Sequence, residues 1–461
     1  MDSTVFVLVG AGSTVFTPGL LRDLALSPLA DSFEVRLVDL NAEAADTMAA
    51  LGERIAADAG VAMKVSSYTD RREALPGAWL VVTTIAVGSA DGWRADLEVP
   101  ARYGVRQTVG DSVGPGGVLR ALRHVPEVVA IARDVEELAP DAWLVNYSNP
   151  LTANVRAIRR TTEVAAFGLC HGTMHTKAAL ASELGVPDRD LHAVFAGLNH
   201  LCWLLDLRIG PQDLYPRLRE LAAERGRGRD AESDPREGLH QPVSADLFAT
   251  FGRYPAPGDR HVSEFFADYL RDGGTGRLPW GLQGGHDLTL QYIDEKSDLW
   301  DRLRARARGD VPLDIGGDQE AERLVAIAEA LLTGRDLVEL AVNLPNHGAI
   351  PNLPPHAVVE VPAIVNGSGV IPLAVGDLPP GIATLLTARA LQQEVTVEAA
   401  LEQDKDLAVE ALVLDPLVPD SRTARAILHD AALAQPETLG AFALARRAGR
   451  RSSRWTWAAR P

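Results

Sequence analysis

"TVFVLVGAGSTVFTPGL", residues 4–20, is the stretch on which the fold turns. A short apolar, β-rich run from Thr4 to Val9 reaches Gly10 and Gly12, and Leu20, Leu21, Leu24 and Leu26 then recur at helical spacing. A strand that breaks into glycines and re-forms as a helix opens a βα unit. Its bare backbone lets a pyrophosphate approach the helix N-terminus. The third glycine of the usual dinucleotide fingerprint would fall at position 15, where Val15 stands. A G-x-G pair alone also serves any strand-to-helix turn that needs a positive φ. The next strand-like run, "FEVRLVDL", carries Asp39 near its end, a little beyond the usual spacing of about 20 residues. A carboxylate there accepts hydrogen bonds from a ribose diol and repels a 2′-phosphate, which favours NAD over NADP. Gly10, Gly12, Ser13 and Asp39 are therefore the candidate cofactor-binding residues.

Outward from that stretch, strands and helices alternate. "AEAADTMAALGERIAADAG" (42–60) reads as an amphipathic helix ended by glycine, "AWLVVTTIAV" (78–87) as a buried strand, "VPEVVAIARDVEELAP" (125–140) as a long helix, and "AWLVNYSNP" (142–150) as a strand stopped by Pro150. This alternation predicts an α/β fold with a parallel sheet covered on both faces. Past residue 150 the pattern is less regular. A polar stretch at 210–240 predicts a helix end and an exposed loop. Helical spacing returns at 318–334 and 377–413, and the proline-rich run at 343–365 reads as loop and strand.

The totals narrow the function. A chain of 461 residues has room for about two domains. Its 46% hydrophobic and 23% charged residues are ordinary for a globular protein. A net charge of -17 repels phosphate backbones and argues against nucleic acid. The sequence shows neither a secretory signal nor an apolar run long enough for a bilayer. The expectation is a cytoplasmic protein with no membrane partner.

Only two cysteines occur, Cys170 in "FGLCHG" and Cys202 in "GLNHLCW", each within two residues of a histidine, His171 and His200. In a reducing compartment such a thiol is a metal ligand, a nucleophile or plain core. Closed structural zinc wants four ligands at short paired spacings. Cys170 and His200 lie thirty residues apart, a separation that suits two strand ends meeting at one sheet edge with coordination positions left open.

Ten pieces in order over nearly the whole chain carry a resemblance: "VGAGSTVFTPGL", "LVDL", "DRREALPGAWLVV", "VGPGGVLRALRHVP", "PDAWLVNYSNPLT", "GLCHG", "AGLNHLCW", "GRYPAPGDRHVSEFF", "VNLPNHGAIPNLPPHAVVEVPAIV" and "VTVEAALEQDKDLAVEALVLDPLV". Together they resemble the NAD-dependent family 4 glycoside hydrolases, the α-glucosidase, α-galactosidase and 6-phospho-glucosidase group. The resemblance implies a Rossmann-like NAD-binding domain over 1–195. It implies an α+β domain over 196–461 for substrate, metal and oligomerisation, in a lactate/malate dehydrogenase-like fold assembled as a homodimer or homotetramer.

The same resemblance implies that Cys170 and His200 bind a divalent cation, manganese as a rule, and that Asn149 lies between nicotinamide and sugar. His171 is then a candidate general acid or a hydrogen-bonding neighbour. The base falls in "FGRYPAPGDRHVSEFF", as Tyr254 or Asp259. Asn199, Arg94, Arg260 and His261 are implied substrate contacts. The implied reaction, an exception to the two-carboxylate scheme of glycosidases, oxidises sugar C3 through NAD and abstracts the now acidic C2 proton. It then expels the aglycone, adds water and reduces C3 again. An anionic sugar is an alternative substrate, given the arginines at 94, 253 and 260. A 2-hydroxy acid dehydrogenase or a non-catalytic NAD-binding protein would share the early G-x-G but has no need of the Cys170–His200 pair.

Overall fold

The computed structural model describes residues 3–225, 241–271, 277–313 and 323–443. The loop expected within 210–240 lies outside the described residues from 226 to 240, as do residues 318–322 of the helix expected at 318–334.

Among the described residues, thirteen strands form one sheet. They are β1 (Thr4–Val9), β2 (Phe33–Val38), β3 (Lys64–Tyr68), β4 (Leu80–Thr83), β5 (Trp143–Asn146), β6 (Ala165–Gly168), β7 (His192–Leu198), β8 (Leu201–Ile209), β9 (Gln212–Asp213), β10 (Pro255–Ala256), β11 (Leu337–Pro345), β12 (Val358–Asn366) and β13 (Gly369–Pro372). Their order is β10-β8-β7-β12-β11-β6-β5-β4-β1-β2-β3, with β13 beside β12 and β9 beside β8. From β6 to β3 every pairing is parallel. That half is the doubly wound order 3-2-1-4-5-6, and ligands bind such sheets beyond the carboxyl ends of the strands, where the order reverses. From β11 outward the sheet is antiparallel.

The continuous apolar character of β1 follows from burial on both faces. Phe6 and Leu8 enter one core cluster, while Val5, Val7 and Val9 enter another on the opposite face. The first cluster continues through Trp203, Val342, Val359 and Val361 of the antiparallel half, so the core does not stop where the strand direction changes. The long helix Gly114–Leu138 packs on Pro380–Glu402, Lys405–Val413 and Ser421–Ala434 in a cluster of its own. The helical stretch expected at 377–413 is thus two helices. The break falls where Gln403 takes φ 50° and the Asp404 carboxylate accepts the amides of Asp406 and Leu407 as an N-cap. Among the described residues no helix is long and apolar enough to cross a membrane.

Candidate active site

The glycine turn sits at the carboxyl end of β1. Gly10 adopts φ +91°, and a Cβ there would come within 2.8 Å of the Ile85 nitrogen after β4, so only glycine fits. The Gly10 and Ala11 amides donate to Val38 O at 2.9 and 3.0 Å. Asp39 closes the turn: the Gly12 amide donates to its Oδ2 at 2.8 Å and the Asn41 amide to its Oδ1 at 2.9 Å. Ser13 Oγ accepts the Phe16 amide at 3.3 Å, just before the helix Thr17–Leu26. A bare turn against a helix start, with an acid at the end of the adjacent strand, fits a dinucleotide. Asp39 has a second duty that the sequence did not disclose, since both of its oxygens already hold the turn.

A cluster of potential ligands lies across the strand ends. One ligand atom each from Asp111, His200 and His261 falls within 4.8 Å of the others. Asp111 sits in the loop before the helix Gly114–Leu138. This loop runs so close to the helix that a Cβ on Gly116 would meet Gly110 O at 2.5 Å. Ser112 Oγ donates to Asp111 Oδ1 at 2.7 Å, and Asn149 Nδ2 to Asp111 Oδ2 at 2.9 Å. His200 occupies the tight turn between β7 and β8 at φ 66°. His261 lies on the short helix Asp259–Val262, its ring centroid 4.0 Å from that of His200.

The electrostatics suit a cation. Burial raises the Asp111 carboxyl, but His200, His261 and Arg120 outweigh it and hold the group below its ordinary value. Burial keeps both imidazoles below theirs, His261 further lowered by His200 and Arg260. A carboxylate and two neutral imidazoles are the protonation states a metal requires. His261 Nδ1 is buried with no hydrogen-bond partner, an unusual condition that a ligated ion would relieve. The residues therefore fit a divalent cation.

The cluster overlaps the expected ligand pair at His200. His200 belongs to the cluster, joined by Asp111 and by His261, which was expected to touch substrate. Cys170 is not one of the three. It lies beside them at the end of β6, within electrostatic reach of Asp111, and receives hydrogen bonds from the Gly172 amide and the Asn199 side chain. Burial first, and then the Glu360 charge, push its thiol up to about 12. Asn199, also expected at the substrate, is 2% exposed. Its Nδ2 donates to Glu360 Oε2 at 2.9 Å, and Asn343 Nδ2 donates to the same oxygen at 3.0 Å. Cys202 is core, 1% exposed, with its thiol donating to Leu198 O at 3.4 Å.

The two expected bases have other surroundings. Tyr254 is 3% exposed and packs with Leu180, Phe195, Leu204 and Phe248. Burial, and then the Asp259 charge, raise its phenol well above the ordinary value. Asp259 accepts the amides of Val243 and Ser244 at 2.8 and 2.7 Å, fastening the start of the helix Pro242–Phe251. Burial pushes its carboxyl up to about 6 against those hydrogen bonds. His171 stands at the N-cap position of the helix Gly172–Leu184, and its ring stacks on Phe16, centroids 6.4 Å apart. Arg94, on the helix Ser89–Ala101, faces Asp91 at 3.4 Å. Arg260 places its backbone carbonyl against the Thr108 hydroxyl.

Two residues escaped the sequence reading. Asp111 stands two positions before the "VGPGG" piece and was hidden by the glycines after it. Arg120, nearly two turns into the following helix, donates from Nε to Asn149 O at 3.1 Å.

Residues 5–186 match the Family 4 glycosyl hydrolase and residues 195–418 the Family 4 glycosyl hydrolase C-terminal domain. An α-galacturonidase of Thermoanaerobacterium saccharolyticum is 35% identical over 432 residues, 89% of this chain and 90% of that protein. An α-galactosidase of Bacillus subtilis is 31% identical over 412 residues, 88% of this chain and 92% of that protein. The solved structure of the Bacillus subtilis protein lplD superposes with a TM-score of 0.81 at 30% identity, covering 94% of this chain and 100% of that one. A 6-phospho-α-glucosidase from gut microorganisms, solved in complex with NAD and Mn2+, shares the fold with a TM-score of 0.80 at 23% identity, covering 95% and 99% of the two chains. Malate dehydrogenase of Cryptosporidium parvum shares it more distantly, with a TM-score of 0.52 at 14% identity over 87% of this chain and 99% of that one. With matches spanning both halves of the sequence, the chain belongs to the family 4 glycoside hydrolases.

Proposed function

We propose that this glycosidase cleaves α-galacturonides by NAD-dependent, metal-assisted elimination, with residues 1–195 holding NAD and 196–461 supplying most of the sugar site. The observation that carries the reading is the Asp111–His200–His261 cluster, joined by the Asn149 amide to the nucleotide half of the sheet. NAD, when bound at Gly10, Gly12, Ser13 and Asp39, supplies reversible hydride acceptance. A divalent cation such as manganese, held by Asp111, His200 and His261 with Cys170 alongside, supplies a Lewis acid for sugar oxygens.

The chain's own residues perform the proton transfers. Asp259 is assigned removal of the proton at sugar C2. Its carboxyl, pushed up to about 6, is ionised at neutral pH yet basic enough to act, and each oxygen keeps a lone pair beyond its backbone hydrogen bond. Partly exposed His171 is assigned protonation of the departing glycosidic oxygen. Asn149 orients Asp111 and, at the carboxyl end of β5, stands between cofactor and sugar. The 35% identical relative is an α-galacturonidase, and the positive charges of Arg120 and Arg260 act on Asp111 and His261. Both facts favour a sugar carboxylate over a neutral C6 hydroxyl.

Proton NMR of α-galacturonides and α-galactosides in D2O, with NAD, MnCl2 and a thiol reductant, tests this. Release of galacturonate carrying deuterium at C2, with no accumulation of NADH, is expected. Galactoside turnover faster than galacturonide turnover would reverse the substrate assignment. NADH accumulating from a hydroxy acid, with no glycoside cleaved, would remove the glycosidase chemistry altogether.

A further inference from the structure

Asp111 and His261 are 150 residues apart, and nothing in the local sequence of either brings them together. A buried carboxyl lies between their segments. Glu264, 1% exposed, lies three residues after His261. Its Oε1 accepts the backbone amides of Thr108, Val109 and Gly110 at 2.9, 2.8 and 2.8 Å. Gly110 immediately precedes Asp111. Three successive N–H groups converging on one oxygen form a nest, and here an internal carboxyl oxygen fills it.

The same segments also meet at the Thr108 side chain. Thr108 Oγ1 meets Arg260 O, and it approaches Ser263 Oγ at 3.4 Å. The loop is also held from other sides: the Gly116 amide donates to Gln107 Oε1 at 2.8 Å and the Gly114 amide to Asp415 Oδ2 at 3.1 Å. Those contacts fix the loop to the helices behind it. Only the Glu264 nest, among the contacts named here, ties the residue next to Asp111 to the helical turns that carry His261.

We infer that Glu264 is a positioning residue for the metal site, a buried clamp that sets the distance between the Asp111 and His261 ligand atoms. The inference rests on the proposed metal site. A ligand set assembled from two segments has affinity only if their spacing is set before the ion arrives, because otherwise binding must order the loop. Neighbours that orient metal ligands are typically worth about ten- to hundred-fold in metal affinity. Gln at 264 keeps an acceptor oxygen in place, whereas Asp, one methylene shorter, must withdraw from the amides or drag the loop with it.

Mn2+ binding to the full-length protein, read from the electron paramagnetic resonance signal of the free aqua ion, tests the clamp apart from turnover. NAD affinity and melting temperature are measured on the same samples. The parent protein is expected to bind Mn2+ and His261→Ala to lose it. Glu264→Asp should weaken Mn2+ at least about ten-fold with NAD affinity unchanged, while Glu264→Gln stays much closer to the parent. Mn2+ affinity within two-fold of the parent in Glu264→Asp would overturn the clamp while leaving the metal site intact. An equal fall in NAD affinity would overturn it too, by showing general loss of structure. Binding that survives His261→Ala would instead remove the metal site, and the clamp with it.

Discussion

At the scale of single residues, the site turns on what burial does to each ionisable group. A phenol in an apolar cluster is harder to ionise than one in water, and a carboxyl is harder to ionise too, but the carboxyl starts far below neutrality and ends near it. Tyr254 and Asp259 sit five positions apart and are both buried, yet only Asp259 finishes in a useful range. Tyr254→Phe should therefore keep kcat within a few-fold of the parent. Asp259→Asn should lower it by about 100-fold or more, the usual worth of a general base. Steady-state kinetics with a p-nitrophenyl α-galacturonide reads both, and a Tyr254→Phe loss as large as that of Asp259→Asn would return the tyrosine to the chemistry. Circular dichroism of Asp259→Asn controls for its capping of the helix Pro242–Phe251.

At the scale of elements, the loop 107–113 and the turns 259–265 behave as one unit. Glu264 is enclosed between them, and burial pushes its carboxyl up to about 8, against the pull of its three amide hydrogen bonds. A carboxyl raised in the folded state favours folding while it is protonated. Its contribution is complete below the unfolded value, near 4.5, and is lost as pH rises through about 8. The metal-free protein should therefore lose melting temperature between about pH 5 and pH 8, and Glu264→Gln, which stays neutral, should show a shallower fall. Differential scanning calorimetry in EDTA across that range decides, and identical slopes for the two proteins would remove Glu264 as the source.

At the scale of the molecule, one sheet carries both halves of the site. The glycine turn, Asp39, Asn149 and Cys170 lie beyond the carboxyl ends of parallel strands, and His200 turns between two antiparallel ones. The core clusters are apolar and include none of the three ligands, so removing metal should leave the fold standing. Because an ion that binds only the folded state stabilises it, Mn2+ at one hundred times its Kd should add about 2.7 kcal/mol. The measurement is the melting temperature with MnCl2 against EDTA, in parent and in His200→Ala. An equal rise in both would mean that the ion binds elsewhere.

Much of this was legible in the chain. Strand and helix periods from Thr4 to Pro150 are set by neighbours within about ten residues, so the βα alternation, the glycine turn and the acid after β2 could be read directly. The ten ordered pieces placed the chain in its family. Within the site, His200 was found because a histidine near a rare cysteine stands out, whereas Asp111 was one of 62 acidic residues and carried no local mark. The burial of Tyr254 depends on Leu180, Phe195 and Leu204, whose packing no local pattern announces. The sequence by itself determined the family, the nucleotide half of the fold and the kinds of residue available for catalysis. Only the tertiary structure decided which of them meet. Spacing between ligands 150 residues apart is set by sheet order and by buried contacts such as the Glu264 nest. The protonation of each group is set by the charges and desolvation that folding brings around it.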